Sequence, residues 1–408
     1  MNAGITKEFI RRIPKTDLHL HLDGSLRLPT LIELAKKARV KLPSQTGDGL
    51  CRLVFKPSYR NLGEYLRGFG LTCAVLQTPE NLERVACELA EDCLAEGVRY
   101  IEVRFAPQLH CHDKLTIEGA VAAVCRGLAR AQRTHNRSRA VKNDEDLPFH
   151  FGVILCALRA FTATTAPYYA RLFNVMAYAP RRQVFAAASL EVARAAAHLA
   201  HERGLPVVGF DLAGEESGYP AEHHAAAYQL AHRHFIRKTV HAGEAYGPES
   251  IFQAITECHA NRIGHGTFLF NADMIRNPAV GNAQTYVRHL AEYIASQRIN
   301  IEVCLTSNLQ TVPQMKRFRD HPLKQMLAHS LSVSINTDNR LVSHTTSCRE
   351  LELAATHFNI QRHEFRNLVV AGFKGSFFPG TYTEKRAYVR RVIDRYEALE
   401  RELLPLAM

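Results

Sequence analysis

The chain has 408 residues, 46% of them hydrophobic, and a formal charge of +11, enough material to bury one large α/β core or two ordinary ones. Its ten cysteines include no Cys-x-x-Cys pair, which excludes a structural zinc knuckle or disulfide framework and points to a reducing, cytoplasmic compartment. The N-terminal residues have no apolar h-region and no run of about 18 apolar residues occurs, so neither a signal peptide nor a membrane span is expected.

In chain order, Lys15 to Gly24 alternates strictly: Asp17, His19, His21 and Asp23 fall on one side, Leu18, Leu20 and Leu22 on the other. Successive strand side chains point to opposite faces, so this is a strand with one ligand-rich face. Two imidazoles two residues apart are close enough to share a metal ion, although His-x-His alone is a weak signal. Helical spacing follows over Pro29 to Val40 and again over Asn61 to Phe69, where Leu62, Tyr65, Leu66 and Phe69 form a stripe. Pro79 to Glu96 is amphipathic with Pro at its start, where the missing N–H costs little. Val98 to Pro107 reads as the second strand and Ile117 to His135 as a helix. The polar stretch 136–148 reads as an exposed loop.

The alternation then continues. Strands are expected at Phe149 to Leu158, Val207 to Gly214, Lys238 to Glu244, Arg262 to Gly266, Ile299 to Asn308 and Leu331 to Asp338. Helices are expected at Gln183 to Arg203, Ala221 to Phe235, Pro248 to Ala260, Gln284 to Gln297, Thr345 to Phe358, Gln361 to Phe373 and Thr383 to Leu404. Denser basic patches near Arg130 to Lys142 and Lys385 to Arg391 read as solvated faces, so no nucleic-acid partner is expected. Eight strands alternating with helices favour a parallel sheet, and the length suits a (β/α)8 TIM-type barrel with additional helices. One domain over residues 1–408 is expected.

In such a barrel the chemistry lies at the C-terminal strand ends. There the chain carries Val240-His241-Ala242-Gly243-Glu244, Gly264-His265-Gly266 and Asn336-Thr337-Asp338-Asn339. With His19 and His21 these supply imidazoles and a carboxylate for a zinc ion that keeps an open position. Glu244 is placed to move protons. His265 is placed either to take a proton from metal-bound water or to stabilise hydroxide electrostatically.

These segments, with Asp-Leu-Ala-Gly at 211–214 and Cys-Leu-Thr-Ser-Asn at 304–308, resemble the signatures of the adenosine deaminases within the amidohydrolase superfamily. The resemblance runs over nearly the whole chain. It implies one zinc per chain on His19, His21, His241 and Asp338, with Glu244 as proton shuttle and His265 as the residue that activates water. It implies that Asp23 holds a ribose hydroxyl, that the Gly214 N–H meets purine N3, and that Tyr65, Leu66 and Phe69 cover the substrate beside His21. The implied activity is hydrolytic deamination of a 6-aminopurine nucleoside, adenosine and 2′-deoxyadenosine first. Where most members continue Thr-Asp-Asp-Pro, this chain has Thr337-Asp338-Asn339-Arg340. The residue expected at purine N7 is therefore Asn339. Other readings are a deaminase of adenine, of a methylthio-nucleoside or of aminodeoxyfutalosine, and a nucleoside-binding pseudoenzyme. Absence of Pro-Cys-x-x-Cys argues against the other zinc deaminase type. Oligomeric state is open at this point.

Overall fold

The computed structural model describes residues 4–405. Eight strands, β1 (Lys15–His21), β2 (Val98–Phe105), β3 (His150–Leu158), β4 (Val207–Ala213), β5 (Arg237–Ala242), β6 (Arg262–His265), β7 (Asn300–Val303) and β8 (Ser332–Ile335), pair in sequence order. Every pairing is parallel. Between β8 and β1 the circle closes through a bridge at the C-terminal end. There the Asp338 N–H donates to the His19 carbonyl at 2.7 Å and the His21 N–H to the Asp338 carbonyl at 2.8 Å. This is the expected (β/α)8 barrel, with its helices outside.

The alternation in β1 explains its place. Leu18 and Leu20 face outward into the apolar layer under the helices and are fully buried. His19 and His21 face inward and are also buried, whereas Asp17, before a register shift in the strand, is buried against Thr337 and Ser347. A barrel strand covered on both sides carries two kinds of core, one apolar and one polar. The interior is wired by charge. The Arg104 guanidinium donates to Asp211 at 2.9 Å and to Glu302 at 2.8 Å, and Arg262 donates to Glu302 at 2.5 Å and to Glu102. Buried charges are tolerable only when paired in this way.

Helix starts follow local chemistry. Thr78, Thr116, Thr346 and Thr381 each accept a backbone N–H from the first turn of the helix they precede.

Three expectations are corrected. The stripe over Asn61 to Phe69 is two helices, Leu62–Leu66 and Phe69–Val75, joined by a tightened turn at Arg67 and Gly68, both of which keep helical dihedrals. Ala221 to Phe235 opens with a tight turn, Ala221–His224, before Ala225–Arg233. The seventh strand stops at Val303, and Leu305–Thr311 is helical. Its partners on both sides have ended by then, so no ladder remains to extend. Glu350 instead accepts the Thr306 N–H at 3.2 Å and its hydroxyl, which satisfies the first helical turn. Sequence reading also missed the helices Gly47–Leu53 and Pro167–Val175. Within 136–148 lies a short helix, Arg139–Lys142, and Asp146 pairs with Arg99 at 2.7 Å. Among the described residues no helix is long and apolar enough to cross a membrane.

Candidate active site

The strand ends bring four expected ligands together. The Nε2 atoms of His19 and His21 each lie 3.1 Å from Nε2 of His241. Asp338 Oδ1 lies 3.7 Å from His19 Nε2 and 3.5 Å from His21 Nε2. Carboxylates fix the rings from behind: Glu302 is 2.8 Å from His19 Nδ1, and Asp211 is 3.1 Å from His241 Nδ1. Each carboxylate accepts the Nδ1 proton, so the Nε2 lone pairs turn inward. Burial holds His19 and His21 well below the usual imidazole range and keeps them neutral. Burial alone would raise Asp211, but His241 and Arg104 outweigh it and hold the carboxyl well below the usual range. Converging neutral lone pairs and a carboxylate oxygen repel one another unless a cation lies between them. The donor set therefore fits a zinc ion.

Two of these positions are conformationally unusual. Asp338 and His265 have φ of +63° and +66°, a region that non-glycine residues rarely adopt and that clusters at functional sites. The β1–β8 bridge holds Asp338 there, and Ser307 donates to its Oδ2 at 2.5 Å.

Glu244 and His265 face each other, with 3.6 Å between Oε1 and Nε2. Burial, reinforced by the carboxylates of Asp338 and Glu216, raises Glu244 well above the ordinary range, which favours its acid form. Backbone contacts set its position. One Glu216 carboxylate accepts the N–H groups of Gly243 at 2.9 Å, Glu244 at 2.9 Å, Ala245 at 2.7 Å and Tyr246 at 2.9 Å.

A chain of hydrogen bonds sets the His265 tautomer. The Leu323 N–H donates to His321 Nδ1 at 3.1 Å, so the His321 proton sits on Nε2. That proton goes to Asn308 Oδ1 at 3.3 Å, which turns the Asn308 NH2 toward His265 Nδ1 at 3.0 Å. His265 Nδ1 is thus an acceptor, and its own proton lies on Nε2, facing Glu244. Burial keeps this imidazole neutral as well.

Above the cluster opens a cavity of about 810 Å³, within the range of small-molecule sites. His21, Asp23, Tyr65, Leu66, Phe69, Gly214, His241, Glu244, His265, Asp338 and Asn339 all line it. His19 lies beneath. Gly214 directly follows β4 with φ +100°, a backbone conformation suited to glycine. Burial pushes Asp23 up to about 7, and its Oδ1 has no partner. Both Asn339 amide protons are engaged, one on the Tyr65 hydroxyl at 2.8 Å and one on Asp338 Oδ1 at 2.6 Å. Arg340 turns away to pair with Glu96.

Sequence reading missed the supporting residues Glu302, Arg104, Glu216, Asn308 and His321. It also missed Arg159, fully buried, whose guanidinium donates to the His241 carbonyl. The alternation of Glu102 and Arg104 against Ile101, Val103 and Phe105 was the one available signal of an inward polar row.

A parallel barrel with histidines and a carboxylate converging at its C-terminal mouth defines a metal-centred barrel enzyme. The chain belongs to the adenosine deaminase family, whose sequence profile matches residues 14–395. It is 35% identical over 386 residues to adenosine deaminase 1 of Streptomyces coelicolor, covering 94% of this chain and 87% of that one. It is 35% identical over 402 residues to adenosine deaminase of Mycolicibacterium vanbaalenii, covering 98% and 99%. In fold it is similar to a zinc-bound amidohydrolase of Burkholderia ambifaria, with TM-score 0.75, 20% identity and coverage of 99% and 98%. It is likewise similar to an adenine deaminase of Arthrobacter aurescens, with TM-score 0.72, 23% identity and coverage of 94% and 98%.

Proposed function

We propose that the chain hydrolyses the 6-amino group of adenosine and 2′-deoxyadenosine, giving the inosine nucleoside and ammonia. The proposed cofactor is one zinc ion on His19, His21, His241 and Asp338. The observation that carries this reading is the convergence of three imidazole nitrogens and a carboxylate beside the buried Glu244, at the floor of a nucleoside-sized cavity. A nucleoside-binding pseudoenzyme has no need of a proton shuttle at Glu244. The relatives named adenosine deaminase and the zinc-bound neighbour support the same reading.

Zinc, when bound, supplies Lewis-acid chemistry and lowers the pKa of water to about 7. Glu244 gives its proton to purine N1 as hydroxide adds to C6. The Glu244 carboxylate then collects the proton of the new hydroxyl and passes it to the amino nitrogen. The C6–N bond breaks, ammonia leaves and C6 becomes a carbonyl. Ionisation of the next water returns a proton to Glu244. His265, with its proton on Nε2, acts as a donor to the oxygen at C6 rather than as the base. Asp23 accepts a ribose hydroxyl, the Gly214 N–H meets N3, and Tyr65, Leu66 and Phe69 cover the base. Donation from Asn339 to N7 requires that one of its amide protons leave Tyr65.

The same cavity is also lined by the cationic Arg181 and Arg182 and by His223, which makes a 6-aminopurine extended by a further group, such as a phosphate, the second reading. Ammonia release from adenosine, 2′-deoxyadenosine, adenine, 5′-methylthioadenosine and AMP separates the two. Adenosine is expected to give the highest kcat/KM. Turnover of another panel member with adenosine inert would overturn the assignment.

A further inference from the structure

In the wall of the same cavity, beginning two residues past His21, a second set of donor atoms converges. Asp23 follows β1, Cys73 lies in the helix Phe69–Val75, and His110 ends the turn after β2. Their donor atoms all fall within 4.8 Å of one another, and the Cys73 Sγ lies 3.8 Å from Asp23 Oδ2. His110 is fully buried. Its Nδ1 donates to the Leu76 carbonyl at 2.9 Å, which leaves a lone pair on Nε2. Neither that Nε2 nor the buried Asp23 Oδ1 has a hydrogen-bond partner. Buried polar atoms are normally satisfied, and while a ribose hydroxyl would meet Asp23 Oδ1 on the role proposed above, nothing yet described meets His110 Nε2.

We propose that Asp23, Cys73 and His110 form a second, weaker zinc site in the cavity wall. Thiolate, imidazole and carboxylate suit a borderline-soft dication, and three protein ligands leave one position open. Asp23 and Cys73 both line the cavity, so the ion enters from there and the open position faces it. Binding releases the Cys73 thiol proton to solvent, and the two orphaned acceptors become ligands. With one protein ligand fewer than the set at the strand ends, this site fills only at excess metal. The consequence for catalysis rests on the proposed role of Asp23: an ion held there withdraws that carboxylate from the nucleoside, so excess zinc competes with substrate.

The test titrates the zinc-loaded enzyme with Co2+, following the sulfur-to-cobalt charge-transfer band while elemental analysis confirms that the resident zinc stays. Wild type is expected to take one further equivalent with the band. Cys73→Ser is expected to lose the band, and His110→Gln to weaken cobalt binding by at least about tenfold. No band in wild type, or the same band in Cys73→Ser, would overturn the site. A second arm measures the apparent KM for adenosine in excess zinc, expected to rise in wild type and not in Cys73→Ser. Cobalt binding with the band but no change in KM would keep the metal site and overturn Asp23 as a nucleoside ligand.

Discussion

Asn308→Asp changes one buried amide group and nothing in shape, yet it reverses what His265 is offered. In the wild type the amide NH2 donates to His265 Nδ1 at 3.0 Å, and Asn308 cannot turn because its oxygen accepts the His321 Nε2 proton at 3.3 Å. The new carboxylate has no proton to give. It accepts from both rings, so the His265 proton moves to Nδ1 and a lone pair replaces the donor beside Glu244. Removing one donor aimed at developing charge costs about 10²–10³ in kcat. The expected outcome, assayed at mildly alkaline pH where the imidazole is neutral, is a loss of that size in kcat on adenosine with little change in KM. Asn308→Ala deletes the constraint without imposing the other tautomer and is expected to lose less. Nitrogen-15 NMR of the labelled imidazoles reads the tautomer directly. If Asn308→Asp moved the His265 proton to Nδ1 and kept kcat within a few fold, a donor role for His265 would be refuted.

Dialysed wild type is expected to hold one zinc per chain by elemental analysis, and His241→Ala much less; full occupancy in that variant would remove His241 from the ligand set. Glu244→Gln keeps the shape but cannot accept and return a proton, so it should bind adenosine nearly normally and lose turnover by about 10²-fold or more. Because burial raises the Glu244 pKa and the proposed chemistry needs its acid form, activity is present below that pKa and lost as pH rises through it. An alkaline limb of the rate profile that persisted unchanged in Glu244→Gln would belong to another group. For Asn339, 7-deazaadenosine lacks the N7 acceptor, but the amide then keeps its Tyr65 partner, so only the net worth of one hydrogen bond, about 0.5–1.5 kcal/mol, is at stake. Wild type should disfavour it by about two- to tenfold in kcat/KM, and Asn339→Ala should erase most of that ratio. Equal discrimination in both proteins would show that the side chain does not read N7.

The barrel was legible because its signal is periodic and local. Strand alternation and helical stripes repeat within a few residues, and Gly and Pro punctuate them. The errors fell where a tertiary partner decided the local structure. Nothing in Cys304 to Asn308 says that β6 and β8 have both ended beside it, or that Glu350 waits to take the Thr306 N–H. Nothing local marks the tightened turn at Arg67 and Gly68 in the stripe from Leu62 to Phe69, because glycine is tolerated in a helix at modest cost. The proposed ligands were legible for a different reason: each sits at a strand end, and the fold fixes where strand ends meet.

The supporting residues have no such address. Glu302 serves His19, Arg104, Arg262 and Thr239 together, and these come from four other strands, so its role exists only after the barrel closes. Asn308 and His321 act through the direction of their donors, which depends on a backbone N–H two residues beyond His321. Asn339 shows the same limit at the cavity itself. Its identity says that it has two amide protons at every relevant pH, which makes donation to a purine chemically open. The fold adds that both protons are already in use, on a tyrosine of the covering helix and on a carboxylate of the metal cluster. On the role proposed for Asn339, reading N7 costs one of these two contacts, and exchange of the Tyr65 contact would tie base recognition to the position of the helix Leu62–Leu66.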